Sequence, residues 1–242
     1  MSTVQGGPGN IVTDGLILNL DVANPRSYLP PYNGTTWFNL SGTNNGTLTN
    51  GPIFNSGNGG SIVFDGVDDF VEFGDVFDLG TNSLTVNQWL YFANNNTNQI
   101  TLSKALAGAQ AYRFATGLSN TGKLYAFMQG NGGADIIPNG STTIPANTWI
   151  MATFVFNRAS SITIYYNGVQ ESLTGDATIS QWNGLNFQSP NPFRLATYTA
   201  SNNTGVVSLM NGRMASTQVY FRTLSASEIN QNFQATRARF GI

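Results

Sequence analysis

The stretch GSIVFDGVDDFVEFG, residues 60–74, decides how the chain is read. Ile62-Val63-Phe64 and Phe70-Val71-Glu72-Phe73 have the composition of half-buried strands. Asp65-Gly66 between them tolerates the positive φ of a tight turn. The pattern predicts a β-hairpin.

Period-two alternation continues outward on both sides. It predicts strands over 17–20, 83–92, 99–103, 112–116, 123–129, 149–157, 161–166, 192–197 and 212–222. In 161–166, Ile162, Ile164 and Tyr166 share one face, and Asn167-Gly168 closes the next hairpin. Residues 24–60 are punctuated by Pro and Gly, with Asn-Gly at Asn33, Asn45 and Asn50. A connection that long is functional or packed on its own side chains. Trp37, Phe38, Leu40, Leu48 and Phe54 supply such packing.

One segment departs from the pattern. Ser225-Ala226-Ser227-Glu228 fits a capping box. Ile229, Phe233 and Ala226 then form a stripe, and Arg237 and Arg239 sit where a helix dipole favours cations. A helix over 226–238 is expected. Many turn-bounded strands with a single terminal helix point to an all-β sandwich or jelly roll. The strand–helix alternation of α/β folds is missing. Residues 1–13 read as a flexible Gly-rich arm and 14–242 as one domain.

Composition narrows the function. Charged residues are 9% of the chain, against about a quarter in a typical soluble protein. The polar surface is therefore neutral, and asparagine is commoner even than the 27 glycines. Aromatic residues at 12% argue against disorder. The net charge of −2 leaves no basic footprint for nucleic acid. There is no run of about 18 apolar residues to enter a membrane, and residues 1–10 lack the pattern of a signal peptide. With neither histidine nor cysteine, disulfides, Cys/His zinc sites and His- or Cys-based catalysis are excluded.

Four segments carry a family resemblance. Residues 60–74 resemble the F-D-G-x-x-D-Y-V signature of laminin G-like, concanavalin A-like domains. LTVNQWLYF (84–92), NTWIMATFVFN…ITIYYNGV (147–169) and NGRMASTQVYFRTLSASEI (211–229) agree in order with its later strands. The resemblance implies a jelly-roll β-sandwich of two antiparallel sheets with a short C-terminal helix. The ends, IVTDGLILNLDVANPRSY…TTWFNLSG…NNGTLTNGPIFNS and EINQNFQATRARFGI, are similar to tailed-bacteriophage structural proteins carrying this domain. That likeness implies a capsid decoration or tail component on the virion exterior. Its partners would be other virion proteins, multiple copies of itself and host glycans. Two departures bear on metal. Met214-Ala215-Ser216-Thr217 stands where many members carry Asp-Asp, and Asn39 replaces a carboxylate in Trp37-Phe38-Asn39-Leu40-Ser41.

Hydrolases of this fold carry Glu-x-Asp-x-x-Glu on one strand. Here the three glutamates are Glu72, Glu171 and Glu228, none in that pattern, so no enzyme is expected. Asp65, Asp68 and Asp69 lead an acidic run that continues to Glu72, Asp75 and Asp78. The run has two readings, oxygen ligands for calcium or the local hydrogen bonds of a turn. The second is favoured, because the spacing is not that of an EF-hand. Trp37, and Trp182 with Asn183 and Asn186, also have two readings, a sugar platform with polar neighbours or anchors for their loops. Trp89 and Trp149 fall within strand patterns and are assigned to packing. A virion coat with glycan adhesion is the leading expectation, a free lectin domain the alternative, and a depolymerase the third.

Overall fold

The computed structural model describes residues 10–105, 112–130, 133–200 and 205–242. β1 (Leu16–Asp21) opens the fold. The Asn/Gly/Pro-rich stretch contributes β2 (Thr36–Trp37), β3 (Gly46–Thr49) and β4 (Ile53–Asn55). β5 (Ser61–Asp65) and β6 (Phe70–Glu72) flank the Asp-Gly turn. There follow β7 (Leu84–Phe92), β8 (Gln99–Lys104), β9 (Arg113–Leu118), β10 (Lys123–Gln129), β11 (Asn139–Thr143), β12 (Trp149–Phe156) and β13 (Ile162–Tyr166). Short strands β14 (Val169–Gln170), β15 (Leu173–Thr174), β16 (Phe193–Leu195), β17 (Tyr198–Thr199) and β18 (Val206–Val207) lead to β19 (Asn211–Tyr220) and helix α1 (Ala226–Thr236).

The strands form two large antiparallel sheets. The back sheet runs β14-β13-β12-β7-β19-β5-β4, and the front sheet β15-β11-β10-β9-β8-β16-β6-β3-β2. A bulge at Ala215 divides the free edge of β19. Residues 211–214 pair with β5, and those from Ser216 onward with β1. Between the sheets lies the main core. Phe64, Leu90, Phe154 and Phe156 from the back meet Leu102, Phe114, Leu124 and Phe193 from the front, all buried.

The expected hairpin at 62–73 is corrected. β5 pairs with β4 and β19 in the back sheet, whereas β6 pairs with β3 and β16 in the front sheet. Asp65-Gly66 thus opens a corner between sheets. A type I′ hairpin needs positive φ at both central residues, and here only Gly66 has it (φ +78°). Residues 66–69 carry the chain across the roughly 10 Å between packed sheets. Asn167 (φ +50°) and Gly168 (φ +79°) do meet the condition, and β13 turns directly into β14.

The capping box forms as predicted. Ser225 Oγ accepts from the Glu228 amide at 3.3 Å, and the Glu228 carboxylate accepts from the Ser225 amide at 2.8 Å. The helix ends at Thr236 and continues as a 3-10 turn, Arg237–Phe240. Its buried stripe is Ile229, Asn232 and Phe233, while Ala226 faces solvent. This stripe covers the outer face of the back sheet, where Trp89 stacks on Phe240 at 3.9 Å and Trp149 is tilted against the same ring. Both tryptophans therefore pack, but under the helix and outside the space between the sheets.

Part of the expected arm belongs to this layer. The Val12 amide donates to Asn232 Oδ1 at 2.8 Å, the Tyr220 hydroxyl donates to Val12 O, and Gln231 donates to Asn10 O. Residues 10–13 are thus docked, and residues 1–9 of the arm lie outside the described residues.

Candidate functional site

Neither predicted tryptophan platform faces solvent. Trp37 is fully buried, because pairing of β2 with β3 turns its indole into the core. Trp182 is 5% exposed. Its indole fills the space left by Gly130, where an added Cβ would sit 2.3 Å from its Nε1, and meets Phe187 edge-on. The Trp182 carbonyl accepts from Arg158, a buried guanidinium that also donates to the carbonyls of Gly80, Asn82 and Leu185. Asn183 and Asn186 are exposed beside it but have no aromatic face to work with. Loop anchoring is the role of both indoles.

The acidic run divides into three. Asp65, Asp68 and Asp69 are brought together, each offering a carboxylate oxygen within 4.8 Å of the others. Their hydrogen bonds are those of the turn. Asp65 Oδ1 accepts from the amides of Val67 (2.8 Å) and Asp68 (3.3 Å), and Asp69 Oδ2 accepts from the Asp65 amide (3.1 Å). Burial pushes the Asp69 carboxyl above its ordinary value, against the Asp65 amide that lowers it. Glu72 instead pairs with Arg194 at 2.6 Å. Asp75 and Asp78 hold the ammonium of Lys104, which is 1% exposed. Its Nζ lies 2.8 Å from Asp75 Oδ1, 3.3 Å from Asp78 Oδ1, 2.9 Å from Val76 O and 3.0 Å from Asn191 O.

The built cleft lies elsewhere, on the outer face of the front sheet. β9 points Phe114 and Leu118 into the core and turns Arg113, Ala115 and Gly117 outward, while β10 buries Leu124, Ala126 and Met128 and turns Tyr125 and Phe127 outward. The register sets Tyr125 opposite Gly117 and Phe127 opposite Ala115. Small residues on β9 thus leave room for rings on β10. An added Cβ on Gly117 would lie 3.0 Å from the Tyr125 ring and 2.2 Å from the Gln99 carbonyl. Tyr198, on the β17–β18 ribbon, lines one side; Asp135 and Ile137, on a segment held by the Met128–Ile136 bridge, line the other.

The resulting hollow is about 180 Å³. A second, of about 250 Å³, shares Tyr125, Ile137 and Tyr198 with it and runs on to Asn98, Ser119, Asn139 and Ser208. At the first end Arg113 Nη2 pairs with Asp135 at 3.0 Å, and its Nε donates to Gln129 Oε1 at 2.6 Å. The same guanidinium lies 4.8 Å over Phe127. Burial, and then the neighbouring Tyr198, push the Tyr125 phenol well above its ordinary value, so it stays a neutral hydrogen-bonding group. Aromatic faces in the middle and neutral polar groups at the rim can hold a ligand with an apolar face and a hydroxylated edge.

Two antiparallel sheets, a jelly-roll order and a sheet-face cleft define the class as a concanavalin A-like sandwich. The family profile described as the concanavalin A-like lectin/glucanases superfamily matches residues 65–230, and the chain belongs to that family. No curated protein matches the sequence. Among solved structures, the chain is similar to the binding domain of Paraclostridial Mosquitocidal Protein 1, with 17% identity and a TM-score of 0.67 over 90% of this chain and 52% of that one. It therefore spans about half the length of that neighbour. It is also similar to domain 4 of AbnA, an extracellular arabinanase from Geobacillus stearothermophilus solved with arabinotriose (17% identity, TM-score 0.55, 90% of this chain and 97% of that one). A third is a SAP-like pentraxin of Limulus polyphemus (15%, TM-score 0.55, 70% and 79%). At these identities the neighbours speak for the fold alone.

Proposed function

We propose that the protein is a non-enzymatic coat and recognition domain of a tailed-bacteriophage particle, present in multiple copies, that holds host-surface glycan in the front-sheet cleft. The observation that carries the glycan reading is the cleft. It sets the rings of Tyr125 and Tyr198 beside the neutral amides and hydroxyls of Asn98, Asn139, Ser119 and Ser208 on an open sheet face, with Phe127 and the Arg113–Asp135 ion pair at one end. AbnA domain 4, similar over nearly its whole length, was solved with arabinotriose, which supports the sandwich as a frame for sugar. The phage reading rests on the sequence likeness at the two ends of the chain.

Orientation supports the same picture. Val12 and Phe240 both belong to the layer over the back sheet, whereas the cleft is on the front sheet. Attachment through the back leaves the cleft facing outward. The low charge suits close packing of copies, because crowded like charges repel.

Absence of catalysis is supported by the carboxylates. Glycoside hydrolysis uses two, roughly 5–9 Å apart. Among the described residues lining the cleft there is one, Asp135, and it is in an ion pair. Glu72 pairs with Arg194, Glu171 accepts from Thr142, and Glu228 caps the helix.

Two measurements test the proposal. Mass spectrometry of purified particles should find the chain among the virion proteins; its absence would leave a free lectin domain. Tyr125→Ala should abolish binding to host polysaccharide while the chain stays folded, with at most a small drop in melting temperature. Reducing-sugar release from that polysaccharide would overturn the non-enzymatic reading.

A further inference from the structure

Resting on the glycan reading of the front-sheet cleft, we infer that its ligand is an uncharged oligosaccharide and that Asp135 is the residue that turns acidic glycans away. The argument is one of charge. Among the described residues lining the cleft the cation is Arg113, which is already neutralised by the Asp135 carboxylate 3.0 Å away and is further engaged by Gln129 at 2.6 Å. Its side chain is 11% exposed, and Asp135, at 38%, is the more accessible partner. An incoming group therefore meets the carboxylate first.

Along the rest of the cleft the polar groups of the described lining residues are amides and hydroxyls, represented by Asn98, Asn139, Ser119 and Ser208. A uronate or sialate would give up its hydration there to groups that carry no charge, beside a carboxylate of its own sign. Burying an uncompensated charge costs several times more than burying a hydrogen-bonded hydroxyl. A neutral sugar meets neither penalty. Its hydroxyls can donate to Asp135 and bond with the amides and hydroxyls of Asn98, Asn139, Ser119 and Ser208, and its apolar face can lie on a tyrosine ring. Specificity of this kind comes from a repulsive element as much as from attraction.

The test uses the full chain on an array of neutral glycans and their uronate- or sialate-bearing counterparts, including oligogalacturonate before and after carboxyl reduction. The expected result is binding confined to neutral members, with affinity changing less than about two-fold as salt is raised, because no net charge is paired. Asp135→Asn is isosteric but removes the charge that Arg113 pairs with, so the variant should stay folded with a melting temperature at or slightly below that of the parent chain. It should gain acidic ligands by about ten-fold or more through removal of like-charge repulsion. Parent binding to acidic members as tight as to neutral ones would overturn the inference while leaving the cleft as the glycan site. Acidic ligands still refused by a folded Asp135→Asn variant would overturn the role of Asp135. If the parent bound neither class, and Tyr125→Ala were indistinguishable from it, the cleft reading itself would fall.

Discussion

The outer faces of the two sheets start from the same chemistry and end differently. On the back sheet, outward positions carry Trp89, Met151, Val155, Tyr165 and Tyr220, and the chain returns at its C-terminal end to cover part of this face with Ile229, Phe233 and Phe240. On the front sheet, outward positions carry Ala115, Gly117, Tyr125 and Phe127, and among the described residues no helix covers them. Apolar outward positions on a sheet call for a cover. Where the chain supplies it, the face becomes a second core. Where small residues sit opposite rings and no helix arrives, the same alternation leaves a cleft for something else.

That contrast can be broken most severely at Trp89. It is 1% exposed, stacks on Phe240 and donates from Nε1 to Thr236 Oγ1 at 2.8 Å. Trp89→Ala should cost about 4 kcal/mol by urea unfolding, whereas Tyr125→Ala on the open face should stay within about 1 kcal/mol. Equal losses would mean that both faces are packed alike. Lys104→Met comes next. It would leave two carboxylates and two carbonyls facing one another, at a cost of about 2–3 kcal/mol, below the fully buried range because Asp75 and Asp78 still touch water.

A smaller, pH-dependent effect belongs to the cover alone. The Arg222 guanidinium, bonded to Glu228 at 2.6 and 3.1 Å, and then Ser225 hold the Glu228 carboxyl at about 2, below its ordinary 4.5. A depressed folded-state value adds stability above the unfolded value, and that stability is lost as pH falls. Melting temperature should therefore drop between pH 4.5 and about 2, and Glu228→Gln should flatten that slope. If the slope persisted in the variant, the acid sensitivity would lie elsewhere than in the helix cap. The smallest effect is expected at the Asp65 turn, where the carboxylates of Asp65 and Asp69 are engaged by the turn's own amides. Calcium and chelator should leave the melting temperature unchanged; a rise with calcium that Asp68→Asn removes would make the turn a metal site.

Local chemistry was readable where it acted locally. Asn167-Gly168, the Ser225–Glu228 box and the bounds of β10 needed only neighbours in sequence. Asp65-Gly66 misled because the same dipeptide serves a hairpin or a corner, and the choice depends on which strands Ile62 and Val71 find as partners. Strands β2 to β4 and β11 were hidden in Asn/Gly/Thr-rich text with little alternation. The cleft left a faint trace. In KLYAFMQ both faces are apolar, so Tyr125 and Phe127 look like core, and only the opposing Ala115 and Gly117 reveal the space above them. Tyr198 and Asp135 join the cleft through the fold alone. Trp37 and Trp182 drew attention by residue type, yet burial decides whether an indole is a platform.

The ammonium of Lys104 has a consequence for the conditions in which the domain can work. A divalent ion gathering the same two carboxylates and two carbonyls would come and go with its concentration, and a chelator would dissolve the arrangement. A charge on a covalent tether cannot be dialysed away. The junction of the residue 75–78 loop with Asn191 thus carries its counter-ion as part of the polypeptide, and its shape is inherited with the sequence instead of borrowed from the medium.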